Sequence, residues 1–277
     1  MRRSFSQVDV FGNSPCSGNP VVVVLDAEGL DDEEMQRFAR WTNLSETTFV
    51  LPPGDPGADY RVRIFTPVLE LPFAGHPTLG TCHAWLEAGG EPSDPEEIVQ
   101  ECGAGLVRIR RGEEGLAFAA PPLVRSGPAS EEEAARATAS LGLDTDDVLA
   151  VEWVDNGPGW IAVLVKSAER VLELRPGPLD FDLGVVGFHP EGGPVAIELR
   201  AFAPLAGGAW TEDPVTGSLN ASVAQWLLGS GRLAAPYVAS QGGAIGRAGR
   251  VYVDQDGDGT IWVGGRTEIM IAGQVDW

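Results

Sequence analysis

A unit of strand, proline turn, glycine and helix occurs twice in this chain, and the duplication limits the possible folds more than any other feature. In the first copy, Arg61 to Phe65 alternates polar and apolar residues with the period of a strand. Pro67 and Pro72 punctuate a turn. Gly75-His76-Pro77 then opens a helix, where proline lacks only an N–H that would have no partner in the first turn. Small and apolar residues run from Thr78 to Leu86 and stop at Gly89-Gly90. The second copy spans Ala196 to Leu228: Arg200 to Pro204 matches Ile64 to Pro67, Pro214-x-x-Gly217-Ser218 matches Pro72-x-x-Gly75-His76, and Trp226-Leu227 closes the helix as Trp85-Leu86 does. Two like halves follow. If they face each other, two helix N-termini share one cleft, each with about four unpaired N–H groups and a partial positive charge. Such ends suit a carboxylate or another anion.

The 277 residues, 43% of them hydrophobic, suffice for two ordinary domains with full cores. A net charge of −21 repels nucleic acid and anionic lipid, so neither is an expected partner. An anionic substrate would have to be held by local dipoles and histidine against that field. Cys16, Cys82 and Cys102 match no metal-ligand spacing, and their odd number argues for a reducing compartment. Met1-Arg2-Arg3 leads directly into a polar strand, and apolar runs such as Val21 to Leu25 are too short to span a bilayer. Cytoplasm is the expected compartment.

Along the chain, Ser6 to Phe11 and Pro20 to Leu25 read as strands around the turn-rich loop Gly12 to Pro20. Asp31 to Trp41 reads as an amphipathic helix capped by Asp31 or Asp32. Thr47 to Leu51, Ile98 to Cys102, Gly105 to Arg111 and Gly115 to Ala119 read as strands. Pro121-Pro122 and a loop from Ser126 to Ser130 mark the boundary, giving an N-terminal half 1–122 and a C-terminal half 123–277 whose last strand can pack back on the first. Glu131 to Leu141 reads as a helix, and Asp147 to Asp155 and Gly159 to Val165 as strands. Asp254 to Gly259 imitates the start of a calcium loop, but Gly265 stands where the ligating glutamate belongs, so a hairpin turn is expected. Short strands and few helices in two halves indicate an α+β fold with mixed or antiparallel sheets.

Three segments then stand out: Asn43 to Phe49 (NLSETTF), Phe73 to Thr78 (FAGHPT) and Glu212 to Ser218 (EDPVTGS). In these, and from Asp9-Val10-Phe11 and Gly18-Asn19-Pro20 to Val263-Gly264-Gly265, the chain resembles the PhzF family of phenazine biosynthesis isomerases. The resemblance implies two pseudo-symmetric domains like those of diaminopimelate epimerase, each a sheet curled around a central helix, with the site between them. It implies Glu46 as general acid/base, His76, Asp213 and Ser218 lining the site, Gly75 and Gly217 beginning the paired helices, and Ser45 against the substrate carboxylate. It implies isomerisation of trans-2,3-dihydro-3-hydroxyanthranilate or a similar small anionic metabolite, without cofactor or metal, in a homodimer. Ala244 and Ala248 depart from the family's C-terminal segment, which bears on substrate identity.

The residue types fit that chemistry. A carboxylate can shuttle a carbon-bound proton when burial lifts its pKa toward neutrality. Asp213 can hold a hydroxyl or ammonium group, and His76 can donate to a developing enolate oxygen. Neither Gly75-His76 nor Gly217-Ser218 includes a cysteine, which disfavours two-thiol racemisation. Two other readings stay open: an amino-acid epimerase or racemase with a second base opposite Glu46, and a metabolite-binding protein without turnover. Asp213 before Pro214 also suits a turn, Ser218 an N-cap, and His83 and His189 structural places.

Overall fold

The computed structural model describes residues 1–205 and 209–277; residues 206–208, inside the second sequence repeat, lie outside the described residues. The chain divides into two compact units, Met1–Ala119 with Gly264–Trp277, and Ala120–Val263. The first contains β1 (Arg2–Val10), β2 (Asn19–Val24), α1 (Asp32–Thr42), β3 (Glu46–Leu51), β4 (Tyr60–Phe65), β5 (Glu70–Leu71), α2 (Gly75–Glu87), β6 (Glu97–Cys102), β7 (Gly105–Gly112) and β8 (Gly115–Ala119). The second contains β9 (Arg125–Pro128), α3 (Glu131–Ser140), β10 (Val148–Asp155), β11 (Ile161–Val165), α4 (Ala168–Glu173), β12 (Leu183–Phe188), β13 (Ile197–Pro204), β14 (Trp210–Asp213), α5 (Gly217–Gly229), β15 (Tyr237–Gln241) and β16 (Gly249–Gln255). The chain returns to the first unit through β17 (Ile261–Gly265), and β18 (Thr267–Asp276) pairs antiparallel with β1.

The two units share one strand plan. In the first, β1–β2 is antiparallel, β2–β3 parallel across the α1 crossover, and β3–β4 antiparallel. In the second, β10–β11, β11–β12 and β12–β13 repeat that sequence, with α4 as the crossover. β4 then pairs antiparallel with β5 and parallel with β6, as β13 pairs with β14 and β15. In each unit the helix between those last two strands is the buried one. This α+β architecture with mixed sheets matches the fold read from the sequence.

Each buried helix is enclosed nearly all round over its first turns. Gly75 to Cys82 of α2 and Gly217 to Ala224 of α5 are buried without exception. Neither helix has a side-chain cap at its start, and the N-cap positions are Ala74 and Thr216. Ser218, which suits an N-cap by sequence, lies one residue inside α5 instead. Close packing needs small residues. A Cβ on Gly80 would stand 2.3 Å from Val21 Cγ1, so α2 rests directly on β2. The other face of the first sheet carries α1, whose Met35 and Ala39 pack with Val24, Phe49 and Phe65.

Local signals explain the ends of α1. Asp31 and Glu34 form a reciprocal capping box, and Asn43, at φ 55, closes the helix in the left-handed region that asparagine tolerates. The sequence reading needs correction in several places. The expected loop from Ser126 to Ser130 contains strand β9, which pairs with β10, and ends in Ser130, the N-cap of α3. Gly159 and Trp160 precede β11 rather than belong to it. The sequence reading also assigns no element to 166–194, where α4 and β12 form. α4 is too short to show a helical period, and β12 is apolar on both faces because helices cover both. The Asp254–Gly259 segment forms the expected turn, with Asp256 N donating to Thr260 O at 2.9 Å and Trp262 Nε1 to Asp256 Oδ2 at 2.6 Å.

Gly80→Ala should lower the unfolding free energy by about 1–3 kcal/mol despite alanine's better helix propensity, because the added methyl overpacks the α2–β2 contact. Urea denaturation of the variant against wild type checks this.

Candidate active site

The geometry of the first unit follows from strand alternation. In β3, Thr47 and Phe49 face α1: Thr47 Oγ1 meets Thr42 Oγ1 at 2.8 Å, and Phe49 packs on Phe38. Glu46 and Thr48 therefore face α2, and Thr81 Oγ1 donates to Thr48 Oγ1 at 2.7 Å. β2 obeys the same rule. Val21 lies beside Glu46 in the parallel register and touches Gly80, while Asn19, two residues earlier, shares the Val21 face. His76 stands one helical turn before Gly80 on the same side of α2. These periods bring Asn19, Glu46 and His76 together.

The His76 ring is 3% exposed. Its Nδ1 lies 3.2 Å from Asn19 Nδ2, and its Nε2 lies 3.1 Å from Glu46 Oε2. The amide nitrogen of asparagine only donates, so Nδ1 accepts, and a neutral ring carries its proton on Nε2, facing Glu46. Burial pushes the His76 pKa down from 6.5 to about 3, which keeps the ring neutral near pH 7. The Glu46 side chain is 15% exposed, and Ser45 next to it is exposed. The loop that delivers them is pinned at both ends, by the Asn43 cap and by the Thr42–Thr47 contact. Asn19 is held in turn by the loop before it, whose Ser17 and Gly18 N–H groups donate to the buried Asp9 carboxylate at 3.0–3.1 Å.

In the second unit Gln241, 1% exposed, organises the start of α5. Its Oε1 accepts from Thr216 N at 3.0 Å and Asn220 Nδ2 at 2.9 Å. Its Nε2 donates to Asp213 O at 3.1 Å and Thr216 Oγ1 at 2.9 Å. Thr216 Oγ1 donates to Asp213 Oδ2 at 2.5 Å, which orients that carboxylate. Ser218 Oγ accepts from Trp160 Nε1 at 3.1 Å. The preceding Glu212 points the other way along β14 and is bidentate to Arg200 at 2.8–2.9 Å, with both side chains 4% exposed. Arg200 also donates to Val171 O and Leu174 O, so that buried pair is fully partnered and structural.

Each unit thus gathers part of the residue set read from the sequence. Glu46 and His76, with Ser45 and Gly75 adjoining, belong to the first; Asp213, Gly217 and Ser218 belong to the second. Sequence reading missed Asn19 and Gln241 as site residues, although Gly18-Asn19-Pro20 and Gln241-Gly242 were visible as segments of the resemblance. Their roles rest on contacts with residues 57 and 25 positions away, which no local pattern encodes. His189 is outside the site, 3.2 Å from Glu198. Cys82 is buried within α2, where burial raises its thiol pKa to about 12. Among the described residues no three His, Cys, Asp or Glu side chains gather as a metal-ligand set. Among those same residues no helix is long and apolar enough to cross a membrane.

A duplicated fold of this plan, with a carboxylate 3.1 Å from a neutral imidazole, is that of an isomerase of epimerase-like architecture. The family described as "Phenazine biosynthesis-like protein" matches residues 8–274, and the chain belongs to this PhzC-PhzF family. The chain is 37% identical to antisense-enhancing sequence 1 of Schizosaccharomyces pombe, over 98% of each chain. It is also 37% identical to trans-2,3-dihydro-3-hydroxyanthranilate isomerase of Pseudomonas aeruginosa, over 91% of this chain and 90% of that one. The crystal structure of the Bacillus anthracis PhzF-family protein aligns with a TM-score of 0.82 at 27% identity, covering 100% of both chains. A hydroxyproline epimerase from Agrobacterium vitis shares the fold at a TM-score of 0.61 and 14% identity, over 99% of this chain and 92% of that one.

The His76 ring makes stability depend on pH. Its folded pKa lies below the unfolded 6.5, so its contribution is complete above about pH 6.5 and fades as pH falls toward 3. Between pH 7 and pH 5 the wild type should lose about 1–2 kcal/mol more stability than His76→Asn. Urea titrations of both proteins at the two pH values measure the difference.

Proposed function

We propose that the protein is a cofactor-independent isomerase that moves a proton on a small cyclic carboxylate of the trans-2,3-dihydro-3-hydroxyanthranilate kind. The observation that carries this reading is the Asn19–His76–Glu46 arrangement, with a neutral ring 3.1 Å from the carboxylate. Glu46 takes the proton from the ring carbon bearing the hydroxyl and returns it to another carbon of the diene. The resulting enol then tautomerises to a ketone. His76 Nδ1 accepts from Asn19, while Nε2, buried and without a hydrogen-bond partner among the described residues although 3.1 Å from Glu46 Oε2, is left to donate to the developing enolate oxygen. N–H groups at the uncapped helix starts can donate to the same oxygen. Ser45, Gly75, Gly217 and Ser218 are assigned to the substrate carboxylate, and Asp213 to its hydroxyl or ammonium group. The isomerase name of the Pseudomonas relative supports the substrate class.

A metabolite-binding protein without turnover is the second reading. The net charge of −21 disfavours contact with nucleic acid, and the intact Glu46–His76–Asn19 set favours catalysis. Amino-acid racemisation through two thiols is disfavoured because Cys82 is buried within α2 and no cysteine stands at either helix start.

Glu46→Gln should lower kcat for trans-2,3-dihydro-3-hydroxyanthranilate by about 10²–10⁴-fold while leaving ligand affinity within a few-fold. Turnover in D₂O should place one deuterium in the product, and full activity of the glutamine variant would remove Glu46 from the mechanism. Asn19→Leu should lower kcat about tenfold with KM little changed, because the His76 tautomer loses its donor. Steady-state kinetics of that variant separates the two constants.

A further inference from the structure

β3 and β12 occupy the same place in the two copies, and each is entered through a carboxylate on the side of the buried helix. Phe65 and Phe202 are equivalent in the repeat, both two residues before its proline. Phe65 pairs with Thr47 and Phe202 with Leu183, so Glu46 and Asp182 stand at matching positions, one residue earlier. Ile161 N donates to Asp182 O at 3.1 Å, which carries the ladder to that residue. Leu183 packs with Val163, Val171 and Phe202 on the α4 side, whereas Gly184 lies against α5: a Cβ there would stand 2.6 Å from Leu219 Cδ1. Alternation then turns Asp182 toward α5. The parallel register sets Trp160 beside it, as Val21 is set beside Glu46, and the Trp160 indole reaches Ser218 Oγ at 3.1 Å.

The Asp182 carboxylate makes no hydrogen bond or ion pair among the described residues. Burial, and then the charge of Asp155, push its pKa from 3.8 up to about 6. Asp155 is fixed in place by Gly157 N and Gly159 N, each donating to its Oδ1 at 2.7 Å. Among the described residues no other charge faces Asp182 from the elements around it. α5 and β11 contain none, and on β13 Glu198 and Arg200 are bonded on the opposite face, to Ser240 and Glu212. An unpaired acid in a part-buried place, able to change charge near neutrality, is suited to take up a proton and give it back.

We propose that Asp182 is a second catalytic carboxylate, which carries the proton of the enol-to-ketone step as Glu46 carries that of the isomerisation. The inference rests on the proposed reaction, and on the start of α5 as part of its substrate site, and assigns the step that Glu46 leaves over. Asp182 takes the proton of the enol hydroxyl, and the electron pair of the broken O–H bond closes the C=O bond. The pair of the ring C=C bond takes the proton back from Asp182 as a new C–H bond. The carboxylate ends as it began, so no other reactant enters. Two proton shifts then use two carboxylates, one from each copy of the strand plan.

The test follows trans-2,3-dihydro-3-hydroxyanthranilate by stopped-flow absorbance and time-resolved ¹H NMR, which read loss of substrate and appearance of ketone separately. In wild type at pH 7 the two should keep pace. In Asp182→Asn the ketone should fall behind substrate loss by about tenfold or more, with the enol accumulating, and Asp182→Glu should shorten the lag. Wild type should develop the same lag as pH falls through about 6 and Asp182 takes up a proton. In Asp182→Asn the lag should be present at every pH. In Asp155→Asn it should set in only at lower pH, because the variant keeps an oxygen for both glycine N–H groups but removes the neighbouring charge. Ketone that keeps pace with substrate loss in Asp182→Asn would overturn the inference and leave the Glu46 reaction standing. Equal slowing of both signals in that variant would mean a merely structural role and overturn it too, as would a lag in Asp155→Asn that sets in where the wild-type lag does. A wild type that consumes no substrate, or a Glu46→Gln variant that consumes it at the full rate, would remove the proposed reaction and this step with it.

Discussion

A buried helix must settle the N–H groups of its first turn, and in both units that requirement shapes everything around it. α2 and α5 are enclosed over their first two turns and begin without a side-chain cap. Thr216 could have capped α5, but its hydroxyl is spent on Asp213. The polar residues around each start are therefore arranged to leave the helix N–H groups to something other than a cap. In the first unit Asn19 and Glu46 flank His76; in the second Gln241 braces the approach to Gly217. Most of these buried polar groups are paired with one another, while His76 Nε2 and Asn220 Oδ1 have no hydrogen-bond partner among the described residues.

The two starts have diverged in kind. The first holds groups that can carry protons, with the imidazole kept neutral by burial. The second is built on amides and hydroxyls, with Gln241 making four hydrogen bonds and Asp213 oriented by Thr216. One strand plan thus carries a carboxylate beside an imidazole in one copy and a hydrogen-bonding frame in the other. The buried Arg200–Glu212 pair adds rigidity beneath the second frame without entering it.

Much of this was legible in the sequence, and the parts that were not share a physical reason. The repeats could be read because proline and glycine fix backbone conformation locally, as at Pro72 to Gly75 and Pro214 to Gly217. The α1 boundaries could be read because Asp31 and Glu34 form a local capping box and Asn43 supports a left-handed stop. Glu46 and His76 could be named from their motifs, but their 3.1 Å approach depends on α2 seating Gly80 on Val21. Asn19, Gln241 and Trp160 carry no local signal, since each acts on a residue far along the chain. β12 and α4 escaped for the opposite reason. A strand covered on both faces loses its alternation, and a helix of 6 residues has too few turns to display a period.

The Gln241 amide has an implication of its own. An amide neither gains nor loses a proton in ordinary water, so the brackets it holds keep their shape in acidic and alkaline surroundings alike. The bracket at the start of α5 therefore keeps its hydrogen bonds across a pH range in which His76, at the start of the other buried helix, would gain a proton. Duplication has let one strand plan carry a ring that can be protonated at one helix start and a bracket that cannot at the other.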